Sequence, residues 1–577
     1  MTAERKTIYN TDIRDLIHVY SGRCFIRIKV PGEWRNIMPQ EPKTEKSSEQ
    51  TNVRQPDINI EKLLPAVREI GSSILKAYFL VIMVVYPLYV KGGYVEIGDI
   101  KYFFFRNVSL ISAGIMLPAA GSIMLLQTKK RSIVSHYRNL SVTDWFVYGY
   151  LVAVLVSYLF TAFRSEAFWG AEGWHMGLVS QLLFVLFYFF FSRYFKWEKK
   201  LLYAALFSSG IVFALGILNR YSVYPISLIG QTPVFISTLG NINWFCGYWA
   251  VICPLGILYY WNGKGVLRQA AAGLYVIVAF LIGIVQGSSS VFPALAALFL
   301  LLCCLSFQEN ERMRRFLELC MLFALSCQIG RLFRYLPGLS INYENGLGYV
   351  LTNTNATVYM GMIAGCLYIW LMRRIKRKSP RIVQPGKAAG AVLILSAAAL
   401  TGYIIVLLLN TCMPEGILGL SGVPFFTFDD SWASARGATW KCGLAGFGHM
   451  SPFHKLIGAG PDCFAAYIYS VPALAEDVYA RFGNARLTNA HNEWLTVLVN
   501  QGVFGCICYA GIFLSAVVRF LKKAKAAPDL YLFAAAVLVY MIHNMFSFQQ
   551  ILNTPFVFIL LGIGEGLCRQ ENAGEIR

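Results

Sequence analysis

The chain is 577 residues long and only 14% of it is charged, with 51 Lys and Arg against 31 Asp and Glu, where an ordinary soluble domain carries roughly 25%. Hydrophobic residues make up 56% and aromatics 15%, which excludes a soluble, disordered or collagen-like protein and points to a polytopic membrane protein. The net charge of +20 would suit nucleic acid if the basic residues were gathered on a soluble domain. They lie instead as short clusters between apolar runs, so nucleic acid is excluded as a partner.

In chain order, residues 1–65 read as a basic, polar, cytoplasmic segment, disordered in part over Pro39 to Asp57. No apolar core of a cleavable signal follows the N-terminal charges. Apolar stretches then recur near 73–90, 108–127, 143–161, 175–192, 201–218, 242–261, 269–286, 291–307, 316–336, 353–372, 388–411, 494–518, 530–546 and 551–568. Each approaches the roughly twenty residues that cross a bilayer core as a helix. The chain is therefore expected to be all-α, a polytopic transmembrane bundle of about 12–14 spans. Some eleven spans fall in 70–411, an outer loop with short helices in 412–490, three spans in 491–568, and a cytoplasmic tail in 569–577.

Basic clusters set the orientation. Arg5, Lys6 and Arg14, Lys129-Lys130-Arg131, Lys196 with Lys199-Lys200, Arg312 with Arg314-Arg315, Arg373-Arg374 through Lys378, and Lys522-Lys523 with Lys525 all fall on one side if both termini are cytoplasmic. Lys91, Lys101, Arg106, Arg331 and Arg334 are exceptions on the outer side. Most Cys lie inside apolar runs, where they behave as small hydrophobes, and no paired CxxC suggests zinc.

The outer loop and the span ends beside it hold the residues able to carry chemistry. Asn241 and Asn243, at the entrance of the sixth span, could hydrogen-bond sugar hydroxyls. Arg436 opens a short helix through Lys441 and reads either as a bidentate pyrophosphate ligand or as a solvated arginine. The Ile457–Phe464 stretch, with Gly458, Gly460 and Asp462, is a tight turn, structural by default, whose amides could otherwise approach a phosphate. A disulfide between Cys442 and Cys463 is open. His491 precedes an apolar helix that Thr488 or Asn489 can cap, which places it in the first turn, where the helix dipole favours a neutral ring. It reads as a general base or as an interfacial residue beside Trp494. His543-Asn544, near the outer end of a span, calls for function or an interhelical hydrogen bond.

Taken in order, these segments resemble the O-antigen ligase and O-antigen polymerase superfamily of bacterial polytopic membrane glycosyltransferases. Ala167-Phe168-Trp169-Gly170 with Met176-Gly177-Leu178 resembles its first outer loop, and Gly240-Asn241-Ile242-Asn243 its G-N-x-N motif. Gln286 to Ser290 stands where the family has a Gly-Ser-Arg turn. Arg436 to Trp440 matches R-x-x-x-W, Gly458 to Pro461 the following Gly-x-Gly-Pro, and His491-Asn492 the H-N motif with Leu495 and Gly502 beyond. The resemblance spans roughly 70–568. It implies a GT-C-like bundle in the cytoplasmic membrane with an extracytoplasmic site, no cofactor and no metal. Its donor would be a glycan on undecaprenyl pyrophosphate, and its acceptor a hydroxyl on a glycan, a lipid or a surface polymer. His491 would be the base and Arg436 the pyrophosphate ligand. Asn492, Glu493, Trp440, Asp462, Asn241, Asn243, Arg331, Arg334 and His543 are expected to bind substrate. Ser289 and Ser290 replace the arginine of the family's turn, and Arg220, Arg331 and Arg334 are candidate substitutes. Ligase, polymerase and protein oligosaccharyltransferase remain open, and a transporter or flippase of lipid-linked glycans is the alternative class.

Overall fold

The computed structural model describes residues 17–20, 23–30, 33–37, 60–128, 140–339, 346–377, 384–413, 420, 423 and 425–572. Residues 1–59 form a unit of their own. It holds an antiparallel sheet of Ile17–Tyr20, Arg23–Val30 and Glu33–Ile37, with Ile26 opposite both Ile17 and Ile37. This short sheet lies within the basic, polar segment and is not among the expected elements. Cys24, Ile26, Ile28 and Val30 alternate with Arg23, Phe25, Arg27 and Lys29, and Ser21-Gly22 and Pro31-Gly32 separate the strands in sequence, a hairpin signature. Pro39 to Asp57 lies outside the described residues.

Among its described residues the second unit, Ile60–Arg577, is all-α but for one short pair, Phe235–Ile236 with Gly240–Asn241. Among the described residues, fourteen helices coincide with the fourteen expected spans. Ten, from Leu63–Leu88 to Glu493–Lys523, are long and apolar enough to cross a membrane. Leu178–Tyr194, Val291–Ser306 and Leu530–His543 are shorter apolar helices, and Thr554–Asn572 carries Glu565, Arg569 and Glu571 near its end.

The bundle is arranged by what its helices bury. Ile242–Trp261 is buried along most of its length and packs on Leu530–His543, while Leu178–Tyr194 packs on Thr554–Asn572 and Val142–Phe160 on Glu493–Lys523. Pro385–Cys412, the highest in hydropathy of those ten, buries only Asn410. Leu393, Ile394, Leu395 and Leu400 stand exposed along it. An apolar surface of that extent needs lipid as its solvent, and the protein is a multi-pass membrane protein.

One exception to the charge rule has a structural cause. Helix Ile60–Leu80 runs into a π turn, Val81–Val85, and ends at Tyr86–Leu88, where Pro87 removes a backbone donor. The Tyr86 and Pro87 carbonyls at this helix end receive the buried Lys101 ammonium at 2.6 and 3.2 Å. Lys101 thus ties two helix ends together rather than marking a side of the membrane.

Candidate active site

The expected outer loop contains four helices, Trp432–His449, Pro452–Ile457, Phe464–Ser470 and Pro472–Phe482. Their apolar faces enclose a second core around Cys442, Phe464, Ile468, Leu474, Val478 and Leu495. The loop is docked to the bundle by backbone pairing. Gly502 adopts φ 68° inside helix Glu493–Lys523 and breaks its ladder. The exposed carbonyls of Val499 and Asn500 then accept from the amides of Ala459 and Gly460, each at 2.9 Å. A Cβ on Gly502 would sit 2.3 Å from the Leu456 carbonyl carbon, and one on Gly458 would sit 2.2 Å from the Asn500 oxygen. The glycine turn is therefore a structural clasp, and its Ala459 and Gly460 amides are taken.

Asp462 extends the clasp. Its Oδ2 accepts from the amides of Ala171 and Met176, both at 2.8 Å, so it fixes the Ala171–Met176 connection from below. Burial raises its carboxyl to about 7. Asp462→Asn keeps an acceptor for these amides, whereas Asp462→Ala strands them at about 1–3 kcal/mol for each. Thermal unfolding of the purified variants is expected to show a clear loss for Ala and a small one for Asn.

Clasp and loop bring Arg436 and His491 together. Arg436 is 6% exposed. Its Nε donates to the Phe546 carbonyl and its Nη1 to the Ala433 carbonyl, both at 2.8 Å. Among the described residues it has no acidic partner, and burial pulls its pKa down. Ala433, Ser434 and Ala435 ahead of it all take left-handed φ values of 50°, 63° and 66°, at a cost of roughly 1–2 kcal/mol per residue. The chain thus spends strain to aim one guanidinium.

His491 differs from expectation in its capping. The helix starts at Glu493, and the cap is Asn492, whose side chain accepts from the Leu495 amide at 3.1 Å. Asn489 instead accepts from the His491 amide at 2.9 Å, which holds His491 at φ 48° just ahead of the helix. Its ring meets Phe548 edge-on at 5.3 Å. Its Nδ1 is buried without a hydrogen bond. Burial first, then the charge of Arg436, lowers its pKa to about 4, so the ring is neutral at physiological pH.

The remaining predicted residues fall into three groups. Trp440 stands one turn from Arg436 in an aromatic wall with Trp432 at 5.3 Å and Phe546 at 6.0 Å. Glu493 is buried and accepts from the Gln549 amide. Asn241 caps helix Ile242–Trp261 through the Asn243 amide. Asn243 then leads into a relay: Ser288 Oγ donates to its Oδ1 at 2.7 Å, Ser288 and Ser290 hydroxyls lie 2.8 Å apart, and Ser290 meets His543 Nε2 at 3.3 Å. His543 is thus held by an interhelical hydrogen bond. Arg331 bonds Asn355 at 2.9 Å and Arg334 lies 4.3 Å over the Tyr349 ring, both against the Leu347–Asn355 stretch. Arg220 donates to Val285 and Pro233 carbonyls at 3.0 and 2.7 Å and abuts Gly287 of the serine turn. Cys442 and Cys463 are free thiols, so no disulfide joins them.

Sequence reasoning passed over the Asn544–Asn553 connection, treated as the margins of two spans. It supplies the Phe546 carbonyl to Arg436, the Phe548 ring to His491 and the Gln549 amide to Glu493. The signal was its run of amides and hydroxyls, Ser547, Gln549, Gln550 and Asn553, between two apolar helices.

Residues 345–510 match the family model described as O-antigen ligase. The matched stretch contains Arg436, Trp440, Asp462 and His491 and ends inside helix Glu493–Lys523. The match supports an O-antigen ligase-type membrane glycosyltransferase at the level of the family. No curated protein matches the chain.

Proposed function

We propose that the protein transfers or polymerises a glycan from an undecaprenyl-pyrophosphate-linked donor onto an acceptor hydroxyl at the outer face of the cytoplasmic membrane. The observation that carries this reading is the pairing of a buried guanidinium that has no carboxylate partner among the described residues with a neutral imidazole whose Nδ1 has no hydrogen bond there. A buried cation without a counter-charge favours an anionic ligand. A neutral imidazole beside it, kept in its free-base form by burial and by the guanidinium charge, has a lone pair ready to accept a proton.

In the reaction, the acceptor oxygen attacks the anomeric carbon, the bond from that carbon to the pyrophosphate oxygen breaks, and His491 takes the acceptor's proton. Arg436 meets the negative charge that grows on the leaving pyrophosphate. Arg220, which stands against the serine turn where related proteins carry arginine, supplies further positive charge. Trp440, Asn492, Glu493, Asp462, Asn241, Asn243 and His543 shape the site around these groups. Arg331 and Arg334 are left to an outer rim.

The test is reconstitution in vesicles with a labelled lipid-linked glycan and acceptor. New glycosidic bonds are expected. Relocation of the label across the bilayer without bond formation would identify a flippase instead.

A further inference from the structure

The opposite end of the bundle holds a cavity of about 970 Å³. It lies where four elements end together: the start of helix Ile60–Leu80, the end of Leu178–Tyr194 with Phe195–Lys199, the Ala527–Asp529 turn, and the end of Thr554–Asn572. Leu178–Tyr194 begins at the candidate active site and ends here, seventeen residues or roughly 25 Å away. The cavity is therefore a second place on the molecule.

Its walls are cationic. Arg68, Arg193, Lys196, Lys199 and Arg569 line it, against Glu69 and Asp529. The carboxylates present are largely committed. Asp529 accepts from the Trp197 indole at 3.0 Å and lies 3.8 Å from Lys199, and Glu69 lies 3.7 Å from Lys76. Arg193 and Arg569 share one buried carboxylate, Asp144, which also accepts from Tyr188 at 2.9 Å. Glu565, paired with Arg519, is a second buried carboxylate that interacts with Arg569, yet the five cations that line the cavity still outnumber its two lining carboxylates, Glu69 and Asp529. Arg68 and Lys196 add exposed cations at the mouth. Trp197, Tyr194 and Phe195 supply the apolar edge found where a membrane meets water.

We propose that this cavity binds a phosphate-bearing anion, drawn either from an anionic lipid headgroup or from a free phosphate compound. A basic pocket between helix ends on the side of the charge clusters recognises such groups by several point charges and guanidinium forks. Its size suits a headgroup with its first glycerol carbons. The proposal is independent of the transfer reaction.

The test uses the full-length protein, purified in mild detergent and stripped of lipid, with thermal unfolding followed as phosphatidylglycerol, phosphatidylcholine or inorganic pyrophosphate is added. Phosphatidylglycerol is expected to raise the unfolding temperature and phosphatidylcholine to leave it unchanged. A matching rise with pyrophosphate assigns the site to free phosphate compounds, and its absence to the lipid. The double variant Arg68→Gln/Lys196→Gln, altered only at exposed positions, should need roughly thirtyfold more ligand for the same rise. Lys522→Gln/Lys525→Gln, at the same end but outside the cavity, should respond like the unaltered protein. Equal responses to the two lipids, or equal losses in the two double variants, would overturn the proposal.

Discussion

His491→Ala is expected to lower glycan transfer by about 10²–10⁴-fold, the usual contribution of a positioned general base, while the protein remains inserted and abundant. The ring meets Phe548 edge-on and its Nδ1 makes no hydrogen bond among the described residues, while its backbone is held by Asn489 and the Asn492 cap. Truncating it therefore removes chemistry more than structure. Labelled product from reconstituted vesicles, scaled to the amount of protein, measures the effect, and normal product would remove His491 from the mechanism.

The same residue makes a pH prediction with a definite sign. Its pKa is lowered from 6.5 to about 4, so the base form persists down to about pH 4. The acid limb that His491 imposes on transfer should lie near 4 and not near 6.5. Stability follows the same shift: between pH 6.5 and 4 the unfolded chain binds a proton here and the folded chain does not, so stability is lost as the pH falls through that window. Asp462 acts oppositely. Its folded pKa near 7 means that the folded chain binds the extra proton below neutrality, and stability is lost as the pH rises from the ordinary carboxylate range towards 7. His491→Ala should remove only the first dependence and leave the acid side of the stability profile raised.

The spans were legible because a bilayer demands an unbroken apolar run from every crossing helix, and such runs can be counted without knowing their partners. What escaped was everything decided across sequence distance. Lys101 reads as a misplaced charge until the folded chain brings it to the helix end at Tyr86–Leu88, whose Tyr86 and Pro87 carbonyls it satisfies. Gly458, Gly460 and Gly502 each read as ordinary turn or helix glycines. Their meaning lies in a pairing between the loop and a break more than forty residues further on. Asn489 and Asn492 are equally plausible caps by residue type, and the choice between them rests on where Glu493 is pinned, by the Asn544 carbonyl at 2.8 Å. The Asn544–Asn553 segment was lost for a different reason: a hydropathy reading assigns short polar connections to no element, although here one such connection touches Arg436, His491 and Glu493 in turn. The N-terminal sheet went unread because its strands are short and basic, and the charge pattern masked the alternation.

Arg436→Lys is the second change expected to abolish useful transfer, by about 10²–10³-fold, although it conserves charge. The guanidinium is fixed by two backbone carbonyls, Phe546 through Nε and Ala433 through Nη1, and a lysine ammonium cannot satisfy both and still present a donor fork to a pyrophosphate. Arg436→Ala is a harsher test of the same point, because it also leaves the Phe546 and Ala433 carbonyls without their donor, at about 1–3 kcal/mol for each buried group. Its loss of transfer must therefore be set against thermal unfolding of the same preparation, and partial recovery of transfer with added alkylguanidine would separate missing charge from damaged fold. Arg436→Gln gives a further readout that a purely structural arginine would not move. Arg436 is one of the two causes that depress the His491 pKa, so removing its charge should shift the acid limb of the residual activity upward from about 4 towards 6.5. An unmoved limb would mean that guanidinium and imidazole do not sense one another, and the pairing on which the transfer mechanism rests would fail with it.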